Sequence, residues 1–64
     1  MITVSAVAAR LEQQLGNRGS FMAVSTRVFL RTGVNLRDPK PGQESDGAVV
    51  TKVRSALADM GYKI

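Results

Sequence analysis

The reactive side chains of this sequence are mainly basic and hydroxyl groups, and two residue types that are common in catalysis are missing. The chain has nine Lys and Arg residues and five Asp and Glu residues, but no His and no Cys. Imidazole acid–base catalysis near neutral pH, thiolate nucleophiles and thiolate zinc sites are therefore excluded. We predict a protein that is not an enzyme and that holds no metal and no cofactor.

The charges of this small basic protein are unevenly placed along the chain. Residues 1–37 carry five Arg residues against one Glu, a net charge of +4, whereas residues 38–64 carry four basic and four acidic residues. The planar guanidinium group of arginine binds phosphate and carboxylate groups through paired hydrogen bonds. The excess of positive charge in residues 1–37 therefore favours a polyanion or an acidic protein as partner. The alternative is that these arginines serve only solubility.

Near the end of the chain, small, hydroxyl and basic residues recur at helical spacing. If Val50, Val53 and Leu57 face a core, the other side of this helix presents a different set of residues. That set is Gly47, Ala48, Thr51, Lys52 and Ser55, with Arg54 at the margin. Small residues allow a helix to enter the major groove of DNA, where Thr, Ser and Lys reach base edges or phosphates. An ordinary solvated helix face is the alternative.

Further basic residues extend this candidate DNA-binding surface. Arg27 and Arg31 are four residues apart, and no acidic residue on their helix stands four residues away to neutralise them. Arg18 lies in a glycine-containing segment before a helix, where backbone N–H groups and the helix dipole favour a phosphate; a plain turn is the alternative. The predicted nucleic-acid contacts are Arg18, Arg27, Arg31, Thr51, Lys52, Arg54, Ser55 and Lys63.

Three helices are predicted to position these side chains. Apolar residues at the spacing of a helix face place them at about residues 4–15, 21–32 and 46–60. Each predicted helix is preceded by a residue that favours the N-cap position and followed by a glycine that favours helix termination. The N-cap candidates are, in order, Thr3 or Ser5, Ser20, and Ser45 or Asp46; the glycines are Gly16, Gly33 and Gly61.

The remaining residues predict one long loop in a single domain of residues 1–64. Pro39 and Pro41 disfavour helix, which places a loop at residues 33–45. The predicted fold class is mainly α, with at most a short two-stranded ribbon that pairs residues 33–36 with residues 62–64. No run approaches the roughly 18–20 apolar residues of a membrane span. We therefore expect no membrane partner, and the absence of cysteine fits a reducing, cytoplasmic setting.

The segment 49–64, VVTKVRSALADMGYKI, resembles the recognition helix and first wing strand of winged-helix domains. These helix-turn-helix modules occur in phage and plasmid regulatory and replication proteins. The resemblance implies binding of double-stranded DNA, for example in transcription regulation, with helix three in the major groove and arginines on phosphates. Two departures are the dozen or so residues between helices two and three, where the family has a tight turn, and the missing second wing strand.

Two other partners follow from the residues themselves. The alternative function is that of a small protein-binding regulator, for example phage-encoded, that docks its arginine-rich face on an acidic host protein.

Helix two also carries a wider apolar arc than one core takes, namely Phe21, Met22, Val24, Val28, Phe29 and Leu30. Val34 and Leu36 of the loop or a second copy can cover the excess, and we favour the homodimer because two-fold dimers double a DNA footprint.

Overall fold

The computed structural model describes residues 2–64 and consists of three helices, which confirms the mainly α prediction. Helix α1 spans Val4–Leu15, α2 spans Arg18–Thr32 and α3 spans Gly47–Asp59. Residues 33–46 form the α2–α3 connection. No residue of the described chain lies in a strand. The short two-stranded ribbon that we predicted as an upper limit is therefore absent from residues 2–64.

Helix α2 begins three residues before its predicted start, and Ser20 is not its N-cap. Asn17 caps the helix instead, because its Oδ1 accepts the backbone N–H of Ser20 at 2.8 Å. Asn and Ser are about equally good N-caps, so the local sequence allowed either start. Only Gly16 and Asn17 therefore separate α1 from α2, and Arg18 lies in the first turn of the helix.

Helix α1 is capped by one residue that is near in sequence and one that is far. Thr3 Oγ1 accepts the N–H of Ala6 at 3.1 Å, as predicted for one of the two candidate caps. The carbonyl of Glu44 accepts the N–H of Val4 at 3.0 Å. The Glu44 carboxylate accepts the N–H of Ser5 at 2.7 Å and also the Ser5 hydroxyl. Glu44 thus satisfies, from the α2–α3 connection, two of the free N–H groups at the start of α1, and places a carboxylate at the positive end of the helix dipole.

These contacts predict a specific pH dependence of stability. The Ser5 hydroxyl and then the Ser5 N–H, by donating to the carboxylate, lower the pKa of Glu44 below its ordinary value. A carboxyl group with a lower pKa in the folded state stabilises the fold above its unfolded pKa, and this contribution is lost as the pH falls through the folded pKa. We expect the melting temperature to decrease as the pH is lowered below about 4.3, the ordinary pKa of glutamate. This decrease with pH should be less steep in Glu44→Gln.

Circular dichroism melts at several pH values measure this effect. Ser5→Ala removes one donor, the hydroxyl, and should flatten the acid limb in part. If the melting temperature decreases equally steeply with falling pH in the unaltered protein and in Glu44→Gln, the Glu44 carboxylate does not stabilise the fold in this way.

The core is shared by all three helices and by the α2–α3 connection. The start of α1 bonds to Glu44, which precedes α3, and its end bonds through Gln14 Nε2 to the carbonyl of Lys63, which follows α3, at 2.7 Å. Val34 and Leu36 of the connection are 1% and 2% exposed. The connection therefore packs its apolar side chains against the helices, and residues 33–36 do not pair with residues 62–64 in a ribbon. The buried apolar cluster is Val4, Val7, Ala8, Leu11, Phe21, Val24, Val28, Val34, Leu36, Val50, Val53 and Leu57.

The end of α3 forms the turn that the sequence predicted. Gly61 has φ 94°, a conformation that favours glycine. The N–H of Tyr62 donates to the carbonyl of Leu57 at 2.9 Å, and the N–H of Gly61 donates to the carbonyl of Ala58 at 3.0 Å. This pair of bonds defines a Schellman motif. It turns residues 62–64 back along α3, and Tyr62 and Ile64 pack against the core.

Candidate nucleic-acid interface

Helix α3 presents to solvent the face that the sequence predicted. Asp46 caps the helix, and its Oδ1 accepts the N–H groups of Ala48 at 2.9 Å and Val49 at 3.2 Å. The buried side of the helix consists of Val50, Val53, Ala56 and Leu57. The exposed residues of α3 include the predicted contacts Thr51, Lys52, Arg54 and Ser55.

A shallow groove runs between α3 and the turned-back residues 62–64. Its volume is about 340 Å³, and it is lined by Thr51, Arg54, Ser55, Ala58, Tyr62, Lys63 and Ile64. Arg54 spans the groove, because its Nε and Nη2 donate to the carbonyl of Ile64 at 3.1 and 2.8 Å. The fold therefore brings together four of the eight predicted contacts: Thr51, Arg54, Ser55 and Lys63.

Ala58 and Tyr62 line this groove but were missing from the predicted contacts. Ala58 stands seven residues after Thr51 and three after Ser55, so its helical position alone could have identified it. Tyr62 was predicted as part of the possible ribbon strand at residues 62–64. Its place at the groove follows from the turn at Gly61.

The other edge of the exposed α3 face lies next to α2. Lys52 is on this edge, and Asp59 follows it by two helical turns. Arg31 Nη1 of α2 lies 3.9 Å from Asp59 Oδ2, and the two side chains are 54% and 74% exposed. The pair joins the edge of α2 that carries Arg27 and Arg31 to the Lys52 edge of α3. Spacing within α2 could not reveal this acidic partner of Arg31.

Arg18 is separate from this surface. It lines a groove of about 400 Å³ whose other lining residues come from α1, α2 and the α2–α3 connection: Ser5, Ala8, Ala9, Glu12, Phe21, Leu36 and Arg37. No residue of α3 lines this groove. The structure therefore places Arg18 in a groove that Glu12 also lines, and not with the contacts on α3.

The α3 surface is basic, and its acidic groups already have partners. Five of the predicted contacts on or beside α3 are basic, namely Arg27, Arg31, Lys52, Arg54 and Lys63, whereas the acidic residues at α3 are Asp46 and Asp59. Asp46 is bonded to the N-terminus of its own helix, and Asp59 lies beside Arg31. The middle of the exposed face consists of small and hydroxyl side chains with a basic residue at each edge.

Comparisons with known proteins add no further assignment. No family model, no curated protein and no solved structure matches this chain. In the described part of the chain, each helix is too short or too polar to cross a membrane. The winged-helix resemblance therefore rests on residues 49–64.

Proposed function

We propose that this chain is a non-catalytic double-stranded DNA-binding domain of the helix-turn-helix type. Helix α3 enters the major groove, with Thr51, Lys52 and Ser55 at base edges. The side chains that bind phosphates are Arg27, Arg31, Arg54 and Lys63. The observation that carries the proposal is the exposed face of α3, which is small and hydroxyl-bearing in the middle and basic at both edges.

The dimensions of α3 suit this role. Its 13 residues extend over roughly 20 Å at about 1.5 Å per residue, and the major groove is about 12 Å wide. With only small and hydroxyl side chains along the middle of the face, the helix backbone can approach the bases closely. Arg54 at one edge and Arg31 beside the other then lie where the two phosphate backbones border the groove.

The hydrogen bonds of the arginines are compatible with phosphate binding. Arg54 uses Nε and Nη2 for the Ile64 carbonyl, which leaves its Nη1 for a phosphate oxygen. Arg31 must exchange Asp59 for a phosphate, and an exposed ion pair of this kind contributes at most about 1 kcal/mol. The long α2–α3 connection replaces the tight turn of the family, so α2 supports α3 by packing and by its arginine edge.

Binding of labelled random duplex DNA across a salt series tests the proposal. With four basic residues assigned to phosphates, the slope of log affinity against log salt should reach about −3.6 at most, since each phosphate contact contributes about −0.9. Fluorescence anisotropy between about 50 and 200 mM salt measures this slope. Absence of binding to any duplex at the lowest salt would overturn the proposal.

Three single-charge variants identify the surface that binds. Lys52→Ala and Arg31→Ala should each weaken binding, but only Arg31→Ala should reduce the salt slope by about 1 and only Lys52→Ala should change sequence preference. Arg18→Ala is the matched control, because it removes the same charge from a separate groove and should leave the affinity within about twofold. Equal losses in all three variants would show diffuse attraction to net charge and contradict an interface on α3.

A further inference from the structure

Helix α2 exposes an apolar strip that the proposed DNA interface does not use. Met22, Phe29 and Leu30 are 44%, 50% and 78% exposed. Positions 22, 26, 29 and 30 lie on one side of a helix, so Thr26 completes the strip. The α2–α3 connection buries its own Val34 and Leu36 but leaves Phe29 and Leu30 at least half exposed. A contiguous apolar surface on so small a domain marks an interaction site.

The strip borders a concave site. A groove of about 250 Å³ lies between α2 and the connection, lined by Met22, Ser25, Thr26, Phe29, Asn35 and Arg37. The connection is held in place there, because the N–H of Arg37 donates to Asn35 Oδ1 at 3.0 Å. The Arg37 guanidinium lies over the groove, with Nη1 3.2 Å from Met22 Sδ. The groove therefore has an apolar floor and a basic rim.

Both edges of the strip carry arginine. Arg37 lies at the edge that borders the groove. Arg27 lies at the opposite edge, next to Leu30 on the surface of α2. Helix α2 contains no Asp or Glu, and Asp38, next to Arg37 in sequence, does not line the groove. In a two-fold dimer the same surface occupies both sides of the interface, so arginine edges would face arginine edges. The charges thus favour an acidic partner over a second copy.

We propose that the α2 strip binds an amphipathic helix of another protein, with acidic residues on both sides of its apolar stripe. One apolar side chain of that helix enters the groove at Met22 and Phe29, and others cover Leu30. Its carboxylates pair with Arg27 and Arg37, as flanking charges do between packed helices. The groove suits a projecting side chain, which a lipid bilayer does not offer. This inference is independent of the DNA-binding function.

Two designed peptides test the proposal with the intact chain. Each has about 20 residues, enough for a helix, and carries the same leucine stripe, flanked by Glu in one peptide and by Lys in the other. We expect the Glu peptide to bind at least about tenfold more tightly at low salt. Amide NMR shifts should change along α2 and at residues 34–37. Equal binding of the two peptides, or binding of neither, would overturn the proposal.

Two variants separate the apolar and charged contributions. Leu30→Ser should weaken Glu-peptide binding about tenfold and leave the fold intact, because the side chain is 78% exposed; circular dichroism checks this. Arg37→Glu should shift the preference toward the Lys peptide. Lys52→Ala is the control, since it should weaken DNA binding but keep peptide binding, whereas Leu30→Ser should do the reverse. Arg27 borders both surfaces and is left unchanged.

Two measurements examine the other occupants of the strip. Sedimentation equilibrium at micromolar concentration should show a monomer, and a dimer that Leu30→Ser dissociates would assign the strip to a second copy. Vesicles of phosphatidylserine and phosphatidylcholine should not compete with the Glu peptide. Vesicle binding that Leu30→Ser abolishes would assign the strip to a membrane surface. Either result would overturn the proposal.

Discussion

Replacement of Leu57 by alanine is expected to unfold a large share of the protein at room temperature. Leu57 is fully buried, and truncation of such a leucine costs about 2–5 kcal/mol. A single core of this size rarely supplies more than roughly 3–5 kcal/mol. The loss is therefore comparable with the whole stability of the fold. Tyr62 loses packing as well, because it packs against the cluster that contains Leu57.

Urea unfolding followed by circular dichroism measures this loss, with Leu30→Ala as the matched control. Leu30 is 78% exposed, so the same truncation there should change the free energy of unfolding by about 0.5 kcal/mol or less. A Leu57→Ala midpoint equal to that of Leu30→Ala would mean that α3 packs through its other side. The residues proposed to read DNA would then be buried.

The second large effect is expected from Leu36→Ala in the α2–α3 connection. Leu36 is outside every helix but only 2% exposed, so its truncation should also cost about 2–5 kcal/mol. Because the connection carries Glu44, its loosening should also speed amide hydrogen exchange at Val4 and Ser5, whose N–H groups bond to Glu44. A larger increase at Val4 and Ser5 than at the buried amides of α3 distinguishes release of the connection from a general loss of core packing.

Leu36→Met is the control for this variant, because a volume-conserving change usually costs less than about 1.5 kcal/mol. Hydrogen exchange and urea unfolding should place this variant close to the unaltered protein. If Leu36→Ala keeps the original unfolding midpoint and the original exchange at Val4, the connection is not anchored through Leu36.

Helix α2 is the element on which the two proposals meet. Its buried side packs in the core through Phe21, Val24 and Val28. The edge with Arg31 borders α3 and belongs to the proposed DNA interface, and the strip around Phe29 and Leu30 is proposed to bind an acidic helix. Since Arg27 lies between the two surfaces, a partner on the strip would reduce the positive charge available to phosphates. Peptide binding is therefore expected to weaken DNA binding, and Leu30→Ser should abolish this effect.

The sequence by itself determined where the helices lie and which side of α3 is exposed. These features depend on residues within about four positions of each other, through the helical repeat of apolar side chains, the Asp46 cap and the turn at Gly61. The one helix boundary that differs from its prediction by more than one residue, the start of α2, also depends on local sequence. Asn17 and Ser20 are caps of similar strength, and the local sequence did not rank them.

Only the tertiary structure decided which distant residues meet. Glu44 caps a helix that begins 40 residues earlier in the chain, Arg31 finds Asp59 on another helix, and Leu36 is buried without belonging to any helical pattern. Each of these contacts depends on the path of the 14-residue α2–α3 connection, which has no repeat from which a direction can be read. That path is stabilised by burial of Val34 and Leu36 in the cluster that the helices share, and this cluster forms only when the helices pack together.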